Sequence, residues 1–119
     1  MKNLFNFVLL FFTTSIFAQE TITSEQAKDN IGKVVIIKGK IASLKLASEG
    51  KNINFINIDK AYPNKVFTVV LTNKYLEEHK LDIANSVGKE IIVKGKITIY
   101  DKDPKKIPQI FNPSELEIK

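Results

Sequence analysis

His79, in "LEEHKLDI", is the one histidine of the chain, and the chain has no cysteine. It is therefore the only side chain whose ordinary pKa lies near neutrality. A histidine acting as general base needs a nucleophile beside it, and no serine stands in a strand–turn–helix elbow. A zinc-binding histidine needs partner ligands at short fixed spacings, and none accompany it. His79 reads instead as a helical residue stacked on Tyr75, four positions earlier. The carboxylates come in pairs, Glu77-Glu78, Asp101-x-Asp103 and Glu115-x-Glu117. Glu77-Glu78 reads as a solvated helix start near the positive end of the helix dipole. Asp101 and Asp103, followed by Pro104, have the composition of a turn. A calcium loop would need several more oxygens and a closing glutamate. The chain is expected to be non-enzymatic, with no cofactor and no metal.

The other groups that could do chemistry are cations. All the basic residues are lysines, and arginine is absent. Arginine grips phosphate or carboxylate with a planar fork, whereas lysine offers a point charge. Four lysines flank two glycines: Lys38 and Lys40 around Gly39, and Lys94 and Lys96 around Gly95. The flanking sequence repeats too. "IGKVVIIKGKI" (Ile31–Ile41) returns as "VGKEIIVKGKI" (Val87–Ile97), with seven of the eleven positions identical. If the two segments pair antiparallel, the lysines either hold an anion between them or are separated by the register. Like charges directly opposite each other are destabilising. Outward lysines that keep a surface soluble and discourage edge pairing are the plainer alternative.

Aromatic platforms would complete a site for single-stranded nucleic acid. Phe55, Phe67 and Phe111 lie in apolar phase and are expected in the core. Tyr62 and Tyr100 lie near turns and are the better stacking candidates. The expected ligand-binding set is therefore Lys38, Lys40, Lys51, Tyr62, Lys65, Lys94, Lys96 and Tyr100. Asn52, Asn54, Asn57 and Thr68 are candidate hydrogen-bonding residues on the adjoining sheet face.

The elements that must position these residues follow from periodicity. Thr23 with Gln26 makes a capping box, and Ile22 with Ala27 a hydrophobic staple, so a short helix starts here and ends by Asn30 and Gly32. Lys33–Ser43 is β-branched and forms a first strand. Its run Val34–Ile37 predicts burial on both faces, and Gly39 predicts a bulge or sharp coil. Asn52–Asp59 and Lys65–Thr72 are further strands. In the latter, Phe67, Val69 and Leu71 share one face, and Val66, Thr68 and Val70 the other. A helix is predicted over Lys74–Lys80, a fourth strand over Lys89–Tyr100, and a fifth over Gln109–Ile118, bent at Pro113.

One helix, three strands, a second helix and two strands are the element order of a five-stranded, mostly β OB-fold barrel with a helix between strands three and four. The segments "IGKVVIIKGKI", "INFINID", "YPNKVFTVVL", "VGKEIIVKGKITIYDK" and "IPQIFNPSELEI" also resemble small exported bacterial OB-fold domains, which are grouped with nucleic-acid-binding OB-fold proteins. The resemblance covers nearly all of Ile31–Ile118. It implies the fold, and a binding role without catalysis. The thermonuclease family is similar in its barrel, but its active site uses arginines, which this chain lacks.

The first residues bear on compartment. Met1-Lys2-Asn3 precede an apolar run from Leu4 to Phe17, followed by Ala18 and polar residues. This is the pattern of a cleaved signal peptide over residues 1–18. The run is shorter than the roughly 20 residues that span a bilayer. Cleavage leaves a single domain, residues 19–119, with no stable membrane span. Five of the eight phenylalanines and one lysine depart with the leader. The mature domain is then mildly basic, and with no cysteine it must be held by packing rather than disulfides. The expected location is periplasmic or secreted. The expected function is that of an exported OB-fold binding module for single-stranded nucleic acid or another polyanion or oligosaccharide. An exported protein meets extracellular or imported strands rather than cellular ones. The alternative is a structural or protein-interaction domain of the cell envelope, working through Val66, Val70 and the strand edges with an envelope protein as partner.

Overall fold

Both copies of the repeated segment open with a glycine in the left-handed region: φ is +89° at Gly32 and +93° at Gly88. Other residues reach that conformation only with strain, so glycine marks the turn into each strand. The computed structural model describes residues 20–119, and the expected leader, Met1–Ala18, lies outside them. The elements are β1 (Thr21–Ile22), a 3-10 helix (Ser24–Asp29), β2 (Val34–Lys45), β3 (Ile53–Ile58), β4 (Thr68–Thr72), α1 (Asn73–Glu78), β5 (Glu90–Lys96), β6 (Thr98–Ile99), β7 (Pro108–Phe111) and β8 (Glu115–Ile118).

The two copies pair with each other as antiparallel strands. Ile37 lies opposite Val93, its own counterpart in the second copy, and the ladder runs symmetrically outward to Val34–Lys96 and Lys40–Glu90. The hydrogen bonds at the two ends match. Gly32 N donates to Ile97 O (2.7 Å) and Gly88 N to Ile41 O (2.8 Å), while Ile97 N donates to Lys33 O (3.0 Å) and Ile41 N to Lys89 O (2.9 Å). The repeat thus builds a ribbon with a local two-fold axis through the Ile37–Val93 pair. Val35, Ile37 and Ile41 of one copy and Ile91, Val93 and Ile97 of the other bury their side chains on its inner face.

Strands beyond the ribbon complete a curled wall in the order β6-β7-β4-β3-β2-β5-β8. β2 pairs with β5 through its first half and with β3 through its second, and the register shifts between Ile41 and Ser43. The bend therefore falls just past Gly39. At Gly39 itself a Cβ would lie 2.7 Å from Ile58 Cγ2. β7 runs parallel to β4, and β8 antiparallel to β5. The last segment, bent at Asn112-Pro113, thus reaches both ends of the wall. Five continuous strands result once β5 is joined to β6 and β7 to β8. This is the five-stranded, mostly β OB-fold arrangement that the element order predicts.

Local chemistry holds the bend and the helix together. Thr72 Oγ1 caps α1 by accepting from Tyr75 N (3.1 Å), and Asn112 Oδ1 accepts from Thr72 N (3.1 Å). The Tyr75 hydroxyl donates to Pro113 O (2.8 Å), and burial pushes that phenol's pKa up. In the first helix the Thr23 N–H donates to Gln26 Oε1 (2.9 Å), as the capping box predicts. β1, which pairs parallel with β2, was not among the expected elements. It is two residues long, too short to show a period.

Two expectations about the strands are corrected. Val34 is exposed and Ile36 half-buried, so the Val34–Ile37 run is not covered on both faces. Alternation holds through it: Val35 and Ile37 are buried, while Val34 and Ile36 face outward. In β4 the second face is closed instead: Val70 is only 4% exposed. It lies directly opposite Phe55 of β3 and Phe111 of β7. The expected apolar patch on Val66 and Val70 is not an open surface.

Gly95 tests the ribbon's packing. A Cβ there would stand 2.6 Å from Ile110 Cγ2. Overpacking of this kind costs about 1–3 kcal/mol, and a domain of this size loses about 4–8 °C of Tm per kcal/mol. Gly95→Ala is expected to lower Tm accordingly. Combined with Ile110→Ala, it should cost less than the sum of the two single changes. A Gly95→Ala protein that melts with the wild type would contradict the close approach.

Candidate functional site

The ladder decides the fate of the lysine pairs. Lys38 lies opposite Ile92 and Lys40 opposite Glu90, while Lys94 lies opposite Ile36 and Lys96 opposite Val34. The two-fold ribbon thus sends one Lys-Gly-Lys to each end of the ladder. Of the two alternatives, the register separates them. Lys94 forms an ion pair with Glu115 (3.9 Å) across β5 and β8. Such a partly exposed pair is worth about 0–1 kcal/mol and ties the lysine to a structural neighbour. Lys51 sits exposed in the 46–52 turn, and its carbonyl accepts from Asn73 Nδ2 (3.2 Å).

The remaining three expected residues gather elsewhere. On the outer face of β2 and β3, Tyr62 and Lys65 border a hollow of about 500 Å³ with Lys45 and Phe55, and Ser43 and Asn57 also line it. A second hollow, about 330 Å³, lies beside it and shares Phe55; Tyr100 and Phe111 form its rim, over Val70 and Gln109. Tyr62, Tyr100 and Phe111 are 73%, 55% and 51% exposed, so each presents ring surface to solvent. Lys65 also borders a third hollow with Lys28, Lys105 and Lys106, where the one carboxylate is Glu25. One sheet face therefore carries four aromatic rings, with lysines along its edge.

Phe111 is exposed, and Phe55 half-buried on this outer face, so neither belongs to the core where apolar phase placed them. Both rings lie on the strand parity that faces away from the core. Phe111 alternates with buried Ile110, and Phe55 with buried Ile56. Lys45 was missed because the first strand continues to Lys45, past the expected end at Ser43.

The polar residues divide as well. Asn54 points inward and is spent internally: Oδ1 accepts from Ala47 N (2.8 Å), and Nδ2 donates to Leu71 O (3.1 Å) and Asn73 Oδ1 (2.8 Å). Asn52 likewise accepts from Asn73 N. Asn57 and Thr68 lie on the outer face, where the Thr68 hydroxyl donates to Asn57 Oδ1 (2.9 Å) and Asn57 Nδ2 to Ser43 Oγ (2.9 Å).

His79 stacks on Tyr75 with ring centroids 3.9 Å apart, away from this face. Glu77 and Glu78 close α1 rather than open it, and Glu78 meets Lys74 at 4.0 Å. No cluster of three or more histidine, aspartate or glutamate side chains able to hold a metal occurs among the described residues. Asp103 shapes the loop that follows Tyr100: Oδ2 accepts from Ile107 N and Oδ1 from Lys105 N, each at 2.9 Å. These two hydrogen bonds hold its carboxyl below the ordinary aspartate range, with Lys65 and Lys106 adding to the effect.

No protein-family model and no curated relative matches the chain. Solved structures do. OBody AM2EP06 bound to hen egg-white lysozyme has a TM-score of 0.61 at 18% identity, over 86% of this chain and 94% of that one. Asparaginyl-tRNA synthetase from Pyrococcus horikoshii gives 0.60 at 15%, over 85% of this chain and 23% of that one. Yeast Stn1 and Ten1 give 0.59 at 12%, over 87% and 64%. At these identities the likeness shows the fold alone, and the fold is an OB-fold. An OB barrel characteristically binds on its second and third strands and the neighbouring loops. Here those strands are β3, which carries Phe55, and β4, whose Val70 lines the Tyr100–Phe111 hollow.

The depressed Asp103 pKa sets a pH dependence. A carboxylate with a lowered folded-state pKa adds stability above its unfolded pKa and loses it as pH falls through the folded value. The amide signals of Lys105 and Ile107 are expected to titrate together in NMR spectra, with a midpoint below the ordinary aspartate value. A midpoint at or above that value would contradict the two hydrogen bonds.

Proposed function

We propose that this domain is a non-catalytic, exported binding module that lays an extended single-stranded nucleic acid across the face formed by β3, β4 and β7. The observation that carries this reading is the convergence of Phe55, Tyr62, Tyr100 and Phe111 on one sheet face, with Lys45 and Lys65 beside them and Lys105 in the next hollow, which shares Lys65. Bases stack on exposed rings whatever their sequence, and lysines follow the phosphates as point charges. The ordered Asp103 turn fixes the loop beside Tyr100. The tRNA synthetase among the structural neighbours is named for a nucleic-acid substrate, which supports the reading by analogy of fold. Export rests on the pattern of Met1–Ala18. Among the described residues no helix is long and apolar enough to cross a membrane.

A second reading is favoured by a different observation: one structural neighbour, the OBody, is bound to a protein, lysozyme. The same exposed rings would then meet an envelope protein, in keeping with the enrichment of aromatics at protein interfaces.

Fluorescence anisotropy with labelled dT15 separates the two. Binding is expected at low salt. The slope of log K against log salt should be roughly −2, about −0.7 for each of three phosphates neutralised on a single strand. Lys65→Ala should make the slope shallower by about 0.7, and Phe111→Ala should weaken binding by about 1–3 kcal/mol. Absence of binding at low salt, together with retention of an envelope protein on the immobilised domain, would transfer the face to the second reading.

A further inference from the structure

We propose that the third hollow, where Lys28, Lys65, Lys105 and Lys106 meet, is a seat for a phosphate dianion, filled by the terminal phosphate of a bound strand. This deepens the reading of the aromatic face as a nucleic-acid interface and rests on it.

The four lysines come from three segments far apart in sequence. Lys28 belongs to the 3-10 helix, Lys65 to the loop before β4, and Lys105 and Lys106 to the loop before β7. The hollow they border measures about 420 Å³, and Val66, Ile107 and Pro108 form its apolar wall. Among the described residues the ion pairs are Lys74–Glu78 and Lys94–Glu115, so none of the four is paired with a carboxylate. Glu25 lines the hollow, and Asp103 lies near Lys65 and Lys106. Both Asp103 oxygens already accept from backbone amides, those of Ile107 and Lys105. Four ammonium groups against these two carboxylates leave two positive charges over. Charges of one sign beside apolar walls focus their field into the cleft.

That surplus selects the anion. A phosphomonoester carries about −1.5 to −2 charge at pH 7, whereas each phosphate inside a strand carries one. Lysines act as point charges, so they rank anions by charge more than by shape. The loop lysines are held in place: Lys106 Nζ donates to Asp101 O (2.6 Å), and Lys105 follows the ordered Asp103 turn. The hollow shares Lys65 with the Tyr62 hollow, so a strand that ends on Tyr62 brings its terminal phosphate to Lys65.

The experiment is anisotropy of the full domain at low salt with three dT6 strands labelled on an internal base. One bears a 5′-phosphate, one a 3′-phosphate and one neither. One of the two phosphorylated strands is expected to bind about fivefold more tightly than the plain strand, the size of one or two exposed charge pairs. Lys28→Gln should abolish that preference and leave the plain strand unchanged, because Lys28 is exposed and lies off the aromatic face. Glu25→Gln should enlarge it. Equal affinities for all three strands, or a preference that survives Lys28→Gln, would overturn the terminal seat while leaving the interface standing. Inorganic phosphate, titrated into 15N-labelled domain at constant ionic strength, is the second probe. Shifts are expected at the Lys28, Lys105 and Lys106 amides, and their absence would overturn the seat outright. Shifts there with equal strand affinities would make it a seat for free phosphate and overturn the strand terminus as its occupant. Binding of no strand would remove the interface and, with it, the terminal phosphate.

Discussion

The antiparallel pairing of two nearly identical strands is the constraint on which the rest of the molecule depends. In the β2–β5 ribbon Ile37 lies opposite its own counterpart Val93, and each other pair recurs as the pair of its counterparts at the far end, so whatever one copy does at one end the other does at the far end. Both copies open with a turn at a positive-φ glycine and end on a buried isoleucine, Ile41 or Ile97. Even the turns match: Lys33 N donates to Asn30 O, and Lys89 N to Ser86 O. Each mid-strand glycine admits an isoleucine from a crossing strand, Ile58 at Gly39 and Ile110 at Gly95. The ribbon therefore specifies where β3 and β7 cross it, and these strands bear the aromatic face.

The same symmetry disposes of the lysines. Two Lys-Gly-Lys segments in one sheet suggest a cationic groove, yet an antiparallel two-fold carries them apart rather than together. Charge separation of this kind favours the pairing, since facing ammonium groups would oppose it. The lysines near the aromatic face come instead from residues scattered in sequence, Lys45 at the end of β2, Lys65 in the loop before β4 and, in the hollow that shares Lys65, Lys105 in the loop before β7. Association there is a product of the barrel's curl, which brings the two loops together.

Much of the fold was legible because hydrophobic period and turn residues are local. Thr23 with Gln26, Thr72 ahead of Tyr75, the glycines before each repeat and the bend at Pro113 all act within a few residues, and all appear where their chemistry places them. The Tyr75–His79 stack is equally local, one helical turn apart. The aromatic face was legible only in part. Tyr62, Lys65 and Tyr100 stand out by lying in or beside turns. Phe55 and Phe111 do not, because an aromatic in a strand has the same alternation whether it faces the core or solvent. Which parity is inner depends on the partners across the ladder, Val70 for Phe55 and again for Phe111. Val70 itself looks like an open strand residue in sequence and is covered only because two phenylalanines flank it. The Thr68–Asn57–Ser43 chain spans three strands and leaves no mark on any one of them.

The central claim is that the ribbon sends its two lysine pairs to its far ends and that the aromatic outer face of β3, β4 and β7 is where a ligand would lie. The most direct measurement is a map of backbone amide shifts in 15N-labelled protein as unlabelled dT15 is added. The account predicts that the perturbed residues cluster at Ser43, Lys45, Phe55, Tyr62, Lys65, Tyr100 and Phe111, with Lys38, Lys40, Lys94 and Lys96 quiet. Perturbations centred on the two Lys-Gly-Lys segments, with the aromatic face unmoved, would contradict it.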